Sequence, residues 1–135
     1  MIRLLIPAMA AAMLAAPHVA TAASDTTALK TKLQAYMQRE VDRRLIDGAL
    51  LSLDYETGDS TALYPVEAHP MIMTFTDGSE RYVLCSDLKT IDGKSHTVDY
   101  YMAKNGNRYT IFKTEINNRK PLKSMMKAGK VTQLK

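Results

Sequence analysis

The feature that most constrains the fold is a series of three turn-forming dipeptides in the second half of the chain: Asp77-Gly78, Asp92-Gly93 and Asn105-Gly106. Both positions of such a dipeptide tolerate positive φ, which tight hairpin turns require. The dipeptides separate four strand-like runs: 71–75, 81–88, 97–103 and 108–116. Strand-like runs joined by hairpin turns predict an antiparallel meander.

The preceding part of the chain has a helical periodicity instead. Residues 24–48 carry apolar side chains at steps of three and four, and the stripe ends before Gly48. Its members are Leu29, Leu33, Tyr36, Met37, Val41 and Leu45. Short strands are expected near 51–55 and 62–66, and a short helix is expected to begin near Pro121.

These elements predict an α+β domain. A long N-terminal helix packs on one face of a curved antiparallel sheet of about four to six strands, and a short C-terminal helix follows. This outline is similar to that of the cystatin-like and NTF2-like folds. The resemblance is one of architecture without a shared motif, so it implies no functional residues.

Residues 1–22 predict a secretory signal peptide. Arg3 precedes an apolar stretch, and Ala20-Thr21-Ala22 supplies the small residues before a signal-peptidase cleavage site. The apolar stretch is shorter than the roughly 20 residues that span a bilayer. Cleavage after Ala22 leaves a single domain, 23–135, in the periplasm or outside the cell, without a transmembrane segment.

Basic residues are concentrated at the C-terminal end. The segment 117–135 contains six Lys and Arg residues and no Asp or Glu, whereas 23–116 contains 11 basic and 14 acidic residues. Such a segment favours an anionic surface or an acidic partner. The absence of a dense basic face elsewhere in the sequence argues against nucleic-acid binding. Cys85 is the only cysteine, so no internal disulfide is expected.

Turn geometry predicts how the strands pair. A two-residue turn at the first dipeptide places Met73 opposite Tyr82. A three-residue loop at the second places Leu84 opposite Tyr100, and a two-residue turn at the third places Tyr100 opposite Ile111. With this register, one face of the sheet is apolar throughout and should lie under the long helix.

The other face of the predicted sheet is also too apolar to be fully exposed. Its candidate binding residues are Ile72, Val83, Asp99, Tyr101 and Phe112. A contiguous apolar patch on a small exported domain usually marks an interface or a ligand groove. We therefore expect a soluble, non-enzymatic binding or adaptor domain that contacts a protein partner, a second copy or a small ligand through this face, without a cofactor. The alternative is that the C-terminal helix folds back and covers the face with Leu122, Met125 and Met126.

A second interpretation is copper handling. In the pattern His69-x-Met71-x-Met73, the period of two aims all three side chains to the same side of a strand. Imidazole and thioether donors suit Cu(I). In the predicted register, however, these residues lie under the long helix, where methionine is common packing material.

Enzymatic interpretations are weaker. The expected register places Cys85 opposite Asp99, on the other face from His69 and His96, so no thiol–imidazole pair forms and a neighbouring carboxylate disfavours the thiolate. A small hydrolase or isomerase that uses Asp99 as a pocket carboxylate is the third hypothesis. Because these enzymatic interpretations are the weaker ones, no residue is predicted to be catalytic.

Overall fold

The computed structural model describes residues 21–135; residues 1–20, which contain most of the predicted signal peptide, lie outside the described part. The helices are α1 (Thr21–Asp42) and α2 (Lys120–Lys127). The strands are β1 (Leu50–Leu53), β2 (Ser60–Ala68), β3 (Met73–Phe75), β4 (Arg81–Lys89), β5 (Ser95–Asn105), β6 (Arg108–Ile116) and β7 (Val131–Gln133).

The strands form one open sheet of seven strands, all of them paired antiparallel. One side of β4 pairs with β5, which pairs with β6. The other side of β4 is shared by β2 and β3, which are flanked by β1 and β7 respectively. The predicted α+β class and antiparallel sheet are confirmed, but β7 was not predicted. Neither described helix is long and apolar enough to cross a membrane.

The first helix ends earlier than its apolar stripe predicts. Helix α1 ends at Asp42, and the following residues make a tight turn in which Ile46 and Ala49 exchange backbone hydrogen bonds of 2.8 and 3.1 Å. Asp47 and Gly48 both adopt positive φ in this turn, 50° and 80°. The prediction of one helix over 24–48 is therefore wrong at its C-terminal end, because Gly48 belongs to a reversal of the chain that leads into β1.

One face of the sheet packs against α1. Its core is apolar apart from tyrosine hydroxyls, and we call it the α1 face. Its buried side chains are Leu33, Met37, Val41, Leu63, Ile72, Tyr82, Leu84, Leu88, Val98, Tyr100, Met102, Tyr109 and Ile111. The apolar stripe predicted for the helix thus lies where a 3.6-residue period should place it, against the sheet.

The opposite face of the sheet is covered by the C-terminal segment, and we call it the α2 face. Its smaller core consists of Met73, Val83, Cys85, Tyr101, Leu122 and Val131. Leu122 comes from α2 and Val131 from β7, so the alternative in which the C-terminal helix folds back over the sheet is the arrangement observed. Ile72 was predicted on this face but is buried on the α1 face.

The register between β3 and β4 differs from the prediction by one residue. Met73 lies opposite Val83, and Thr74 lies opposite Tyr82. The connection over 76–80 is longer than a two-residue turn, and Asp77 Oδ1 accepts a 3.0 Å hydrogen bond from the backbone N–H of Ser79. A shift of one residue moves a side chain to the other face of a sheet. Met73 therefore faces α2 and not α1.

Of the other two predicted strand registers, one is confirmed and one is wrong. Leu84 lies opposite Tyr100, as predicted from a three-residue loop. The pairing of Tyr100 with Ile111 is wrong, because the turn uses Gly106 and Asn107 in place of Asn105 and Gly106, so that Met102 lies opposite Ile111. A bulge at Tyr101/Met102 shifts the register of β5 and β6 further along the strands.

Candidate ligand pocket between the sheet and α2

A pocket of about 320 Å³ lies between the α2 face and α2. The segment leading into β3, together with β3 and β4, contributes one wall, and α2 with its N-cap residue contributes the other. The lining residues are His69, Met71, Met73, Cys85, Arg119, Leu122, Lys123 and Met126. We call this cavity the α2 pocket.

Backbone periodicity brings the three residues of the His-x-Met-x-Met pattern into the α2 pocket. Ile72 is fully buried in the core of the α1 face, so Met71 and Met73 on either side of it point the opposite way. Met73 is buried, whereas the Met71 side chain is 52% exposed. The structure thus joins His69, Met71 and Met73, but on the face opposite to the one predicted.

The imidazole of His69 is oriented by a carboxylate. His69 Nε2 lies 3.0 Å from Asp87 Oδ2, and Thr97 Oγ1 donates to Asp87 Oδ1 over 3.0 Å. These hydrogen bonds hold the pKa of Asp87 below its usual range, with the bond to His69 the largest cause. Because a carboxylate only accepts hydrogen bonds, Nε2 carries a proton, and in the neutral ring Nδ1 then has the free lone pair.

A buried charge cluster adjoins the pocket wall. The fully buried Asp99 carboxylate is 3.2 Å from Arg119 Nη2, and Arg119 Nε donates to its second oxygen over 3.3 Å. The Cys85 thiol donates to Asp99 Oδ1 over 2.9 Å. Since Arg119 is the N-cap residue of α2, this ion pair fastens the start of the helix to the centre of the sheet.

The thiol in the pocket wall is kept protonated. Burial raises the pKa of Cys85 to about 12, and the hydrogen bond to Asp99 and the negative charge of that carboxylate add to the effect. A nucleophilic cysteine needs a lowered pKa, so Cys85 has the opposite environment. The predicted pairing of Cys85 with Asp99 is confirmed by the register of β4 and β5.

The five residues predicted to form an open binding surface do not form one. Ile72, Val83, Asp99 and Tyr101 are buried, and Ile72 lies on the other face of the sheet from the rest. Only Phe112 is exposed, at 56%, beside the bulge in β6. Asp99 does not line any pocket described here, which gives no support to its proposed role as a pocket carboxylate.

Two residues of the pocket were missed at the sequence level, Arg119 and Lys123, whereas Met126 was already among the helix residues expected to cover the sheet. The basic C-terminal segment did indicate that cations were available to a buried acid, but six candidates were present. The spacing of Leu122 and Met126 places them on one side of α2. That periodicity predicted Met126 as a neighbour of the sheet, but it did not indicate that Met126 would lie in one pocket with Met71 and Met73.

Comparisons of this chain with protein-family models, with curated proteins and with solved structures found no match. The cystatin-like or NTF2-like resemblance is therefore not confirmed. The fold and the pocket together define an α+β domain with a seven-stranded antiparallel sheet and a thioether-lined cavity under its second helix.

Proposed function

We propose that this chain is an exported, non-enzymatic binding domain that holds a small ligand in the α2 pocket. The observation that carries the proposal is the cavity of about 320 Å³ between the sheet and α2. This volume lies at the lower end of the range for small-molecule sites, which are mostly apolar with a few polar groups. The thioethers of Met71 and Met126 are adaptable contacts at its half-exposed rim.

The α2 face was expected to bind a protein partner, a second copy or a small ligand. The α2 pocket favours the small ligand. A flat protein interface would need Val83 and Tyr101 at the surface, but the C-terminal segment covers both. The α2 pocket gives access to this face beside Met71 and Met126, which are half-exposed. The protonated Cys85 thiol in the wall favours binding over nucleophilic catalysis.

A fluorescent probe tests the pocket without knowledge of the natural ligand. The dye 8-anilinonaphthalene-1-sulfonate combines an aromatic body with an anion that Lys123 can attract. We expect saturable binding of one dye per chain. Met71→Glu and Met126→Glu should each weaken it more than about tenfold, since each places a charge in the apolar rim.

Phe112→Glu is the matched control, because it adds the same charge to an exposed apolar residue outside the pocket. It should change dye affinity by less than about twofold. Circular dichroism should show an unchanged fold in all three variants, since partly unfolded chains also bind this dye. Equal losses in the three variants, or no saturable binding, would contradict the proposal.

Export is part of the same proposal and has its own test. The leader at 1–22 motivates it. Expression of the full chain in a bacterial host, followed by fractionation and N-terminal sequencing, should yield a product that begins at Ala23 in the envelope or medium. A chain that keeps Met1 and stays in the cytoplasm would show that the leader does not direct export.

A further inference from the structure

We propose that the ligand of the α2 pocket is a soft monovalent metal ion, Cu(I), held by the thioether sulfurs of Met71, Met73 and Met126 and by Nδ1 of His69. The inference rests on the proposed function, since it names the ligand class of the same pocket. Its basis is the convergence of these four side chains from two separate segments of the chain onto one cavity. Thioether and imidazole donors select soft ions such as Cu(I).

The surroundings of His69 provide an independent observation. Metal-binding histidines usually donate their second ring N–H to a carboxylate, which fixes the tautomer and the orientation of the ring. His69 has this arrangement, with Nε2 3.0 Å from Asp87 Oδ2 and Thr97 Oγ1 3.0 Å from Asp87 Oδ1. Asp87 also supplies a negative charge near the pocket, which offsets the positive charge of Lys123 in the lining, while Asp99 already balances Arg119.

The donor set distinguishes Cu(I) from divalent ions. Within the described residues, no group of three or more His, Cys, Asp or Glu side chains is arranged to hold a metal ion. Zn²⁺, Mg²⁺ and Ca²⁺ bind mainly through such side chains, through backbone carbonyls and through water. Cys85 lines the pocket as well, but its Sγ–H points to Asp99 Oδ1, 2.9 Å away, so we do not include its sulfur among the donors.

Silver titration with methionine labelling tests the donor set. Ag(I) is a soft monovalent analogue of Cu(I) that does not need reducing conditions, and the probe is Ag(I) alone. In the purified protein labelled with [methyl-13C]methionine, we expect the methyl resonances of Met71, Met73 and Met126 to shift and to saturate at one equivalent. Met37 and Met102, which are buried on the α1 face, should not shift and serve as internal controls.

Variants separate coordination from packing. Met71→Leu and Met126→Leu keep apolar volume but remove sulfur, and each should weaken Ag(I) binding more than about tenfold. Asp87→Asn should weaken it roughly 10- to 100-fold through the orientation of His69. Met125→Leu, which removes a sulfur from α2 outside the pocket lining, should leave the affinity within about threefold, and Cys85→Ala tests the thiol as the alternative donor.

Each of the following results would overturn the proposal. Ag(I) binding that disappears in Cys85→Ala would identify the thiol as the ligand. Shifts of all methionines alike would indicate non-specific binding or unfolding, and saturable binding of Zn²⁺ with equal affinity would exclude a soft-ion site. Dye binding without Ag(I) binding would reject the metal and keep the pocket, whereas failure of both would reject the pocket as well.

Discussion

The two faces of the sheet, one beneath α1 and the other beneath α2, bury different kinds of side chain. The buried residues of the α1 face are apolar or aromatic, and three of them come from the helix. The α2 face buries six apolar or thiol side chains, and beside them lie the Asp99–Arg119 ion pair and an open pocket. Proteins tend to depart from a purely apolar core where function demands it. The difference therefore separates a face that mainly stabilises the fold from the face on which we propose that a ligand binds.

The largest expected effect on stability comes from replacing one buried leucine with alanine on each face, which leaves a cavity. Leu84 and Leu122 are each 1% exposed, one on the α1 face and the other in α2. Leu84→Ala should cost roughly 4 kcal/mol of unfolding free energy, because its neighbours are tightly packed on all sides. Leu122→Ala should cost roughly 2 kcal/mol, because the adjoining pocket lets α2 readjust. Urea denaturation measures both values.

Amide hydrogen exchange shows which parts of the domain each of these two substitutions destabilises. Leu122→Ala should speed exchange in α2 and β7 while leaving α1 and β5 protected, whereas Leu84→Ala should lower protection throughout the domain. Equal losses of stability, with the same exchange pattern in the two variants, would show that the two faces form one cooperative unit of uniform strength.

The ion pair on the α2 face gives the next largest effect. Arg119→Met leaves the buried Asp99 carboxylate with the Cys85 thiol as its remaining donor among the described residues. Removal of one partner of a buried pair costs about 3–5 kcal/mol, and the 39% exposure of the Arg119 side chain lowers our expectation to roughly 2–3 kcal/mol. Thermal and urea unfolding measure it.

Arg43→Met is the matched control for this substitution. Arg43 pairs with Glu40 over 3.1 Å at the surface, and its side chain is 61% exposed. Its removal should change stability by less than about 0.5 kcal/mol. If Arg119→Met were equally mild, the Asp99 ion pair would not be what holds α2 on the sheet.

The contrast between the faces also explains what the sequence could reveal. The part of the α1 face formed by α1, β4 and β5 was predicted well, because a 3.6-residue stripe and alternating strands require only local periodicity. The pairing of Leu84 with Tyr100 followed from the length of the loop between their strands. The class of fold and its antiparallel sheet could be inferred in the same way.

The α2 face could not be inferred in this manner, because its structure depends on single-residue details. The connection over 76–80 is stabilised by hydrogen bonds to the side chain of Asp77, and the resulting one-residue shift moved Met73 to the α2 face. Strand β7 is only three residues long, too short for a periodic signal. Arg119 and Asp99 are distant in the sequence, and no local pattern indicates that they form an ion pair.

The pH dependence of stability tests the buried thiol. Cys85 has a pKa of about 12 in the folded protein, above that of a thiol in an unfolded chain. The folded state therefore holds this proton more tightly, and the stabilisation is complete below about pH 8.5 and is lost as the pH rises towards 12. The charged groups that act on the thiol are Asp99, Arg119 and Asp87.

Cys85→Ala isolates this contribution from the tyrosines, which titrate in the same alkaline range. The stability advantage of wild type over the variant should shrink by roughly 2 kcal/mol between pH 8 and pH 10. Urea denaturation at the two pH values gives the difference. A constant advantage across this range would mean that the thiol is not buried beside Asp99 in solution.

The smallest expected effect comes from two neighbouring tyrosines that point to opposite faces. On the α1 face, the hydroxyl of Tyr100 lies 2.9 Å from Ser86 Oγ and forms a hydrogen bond. On the α2 face, the buried hydroxyl of Tyr101 has no hydrogen-bond partner within the part of the chain described here. Tyr100→Phe should therefore lower stability by about 1 kcal/mol, and Tyr101→Phe should raise it by about 0.5–1 kcal/mol. Both changes keep the aromatic ring, so unfolding curves report on the hydroxyls; losses of equal size would show that Tyr101 is as well satisfied as Tyr100.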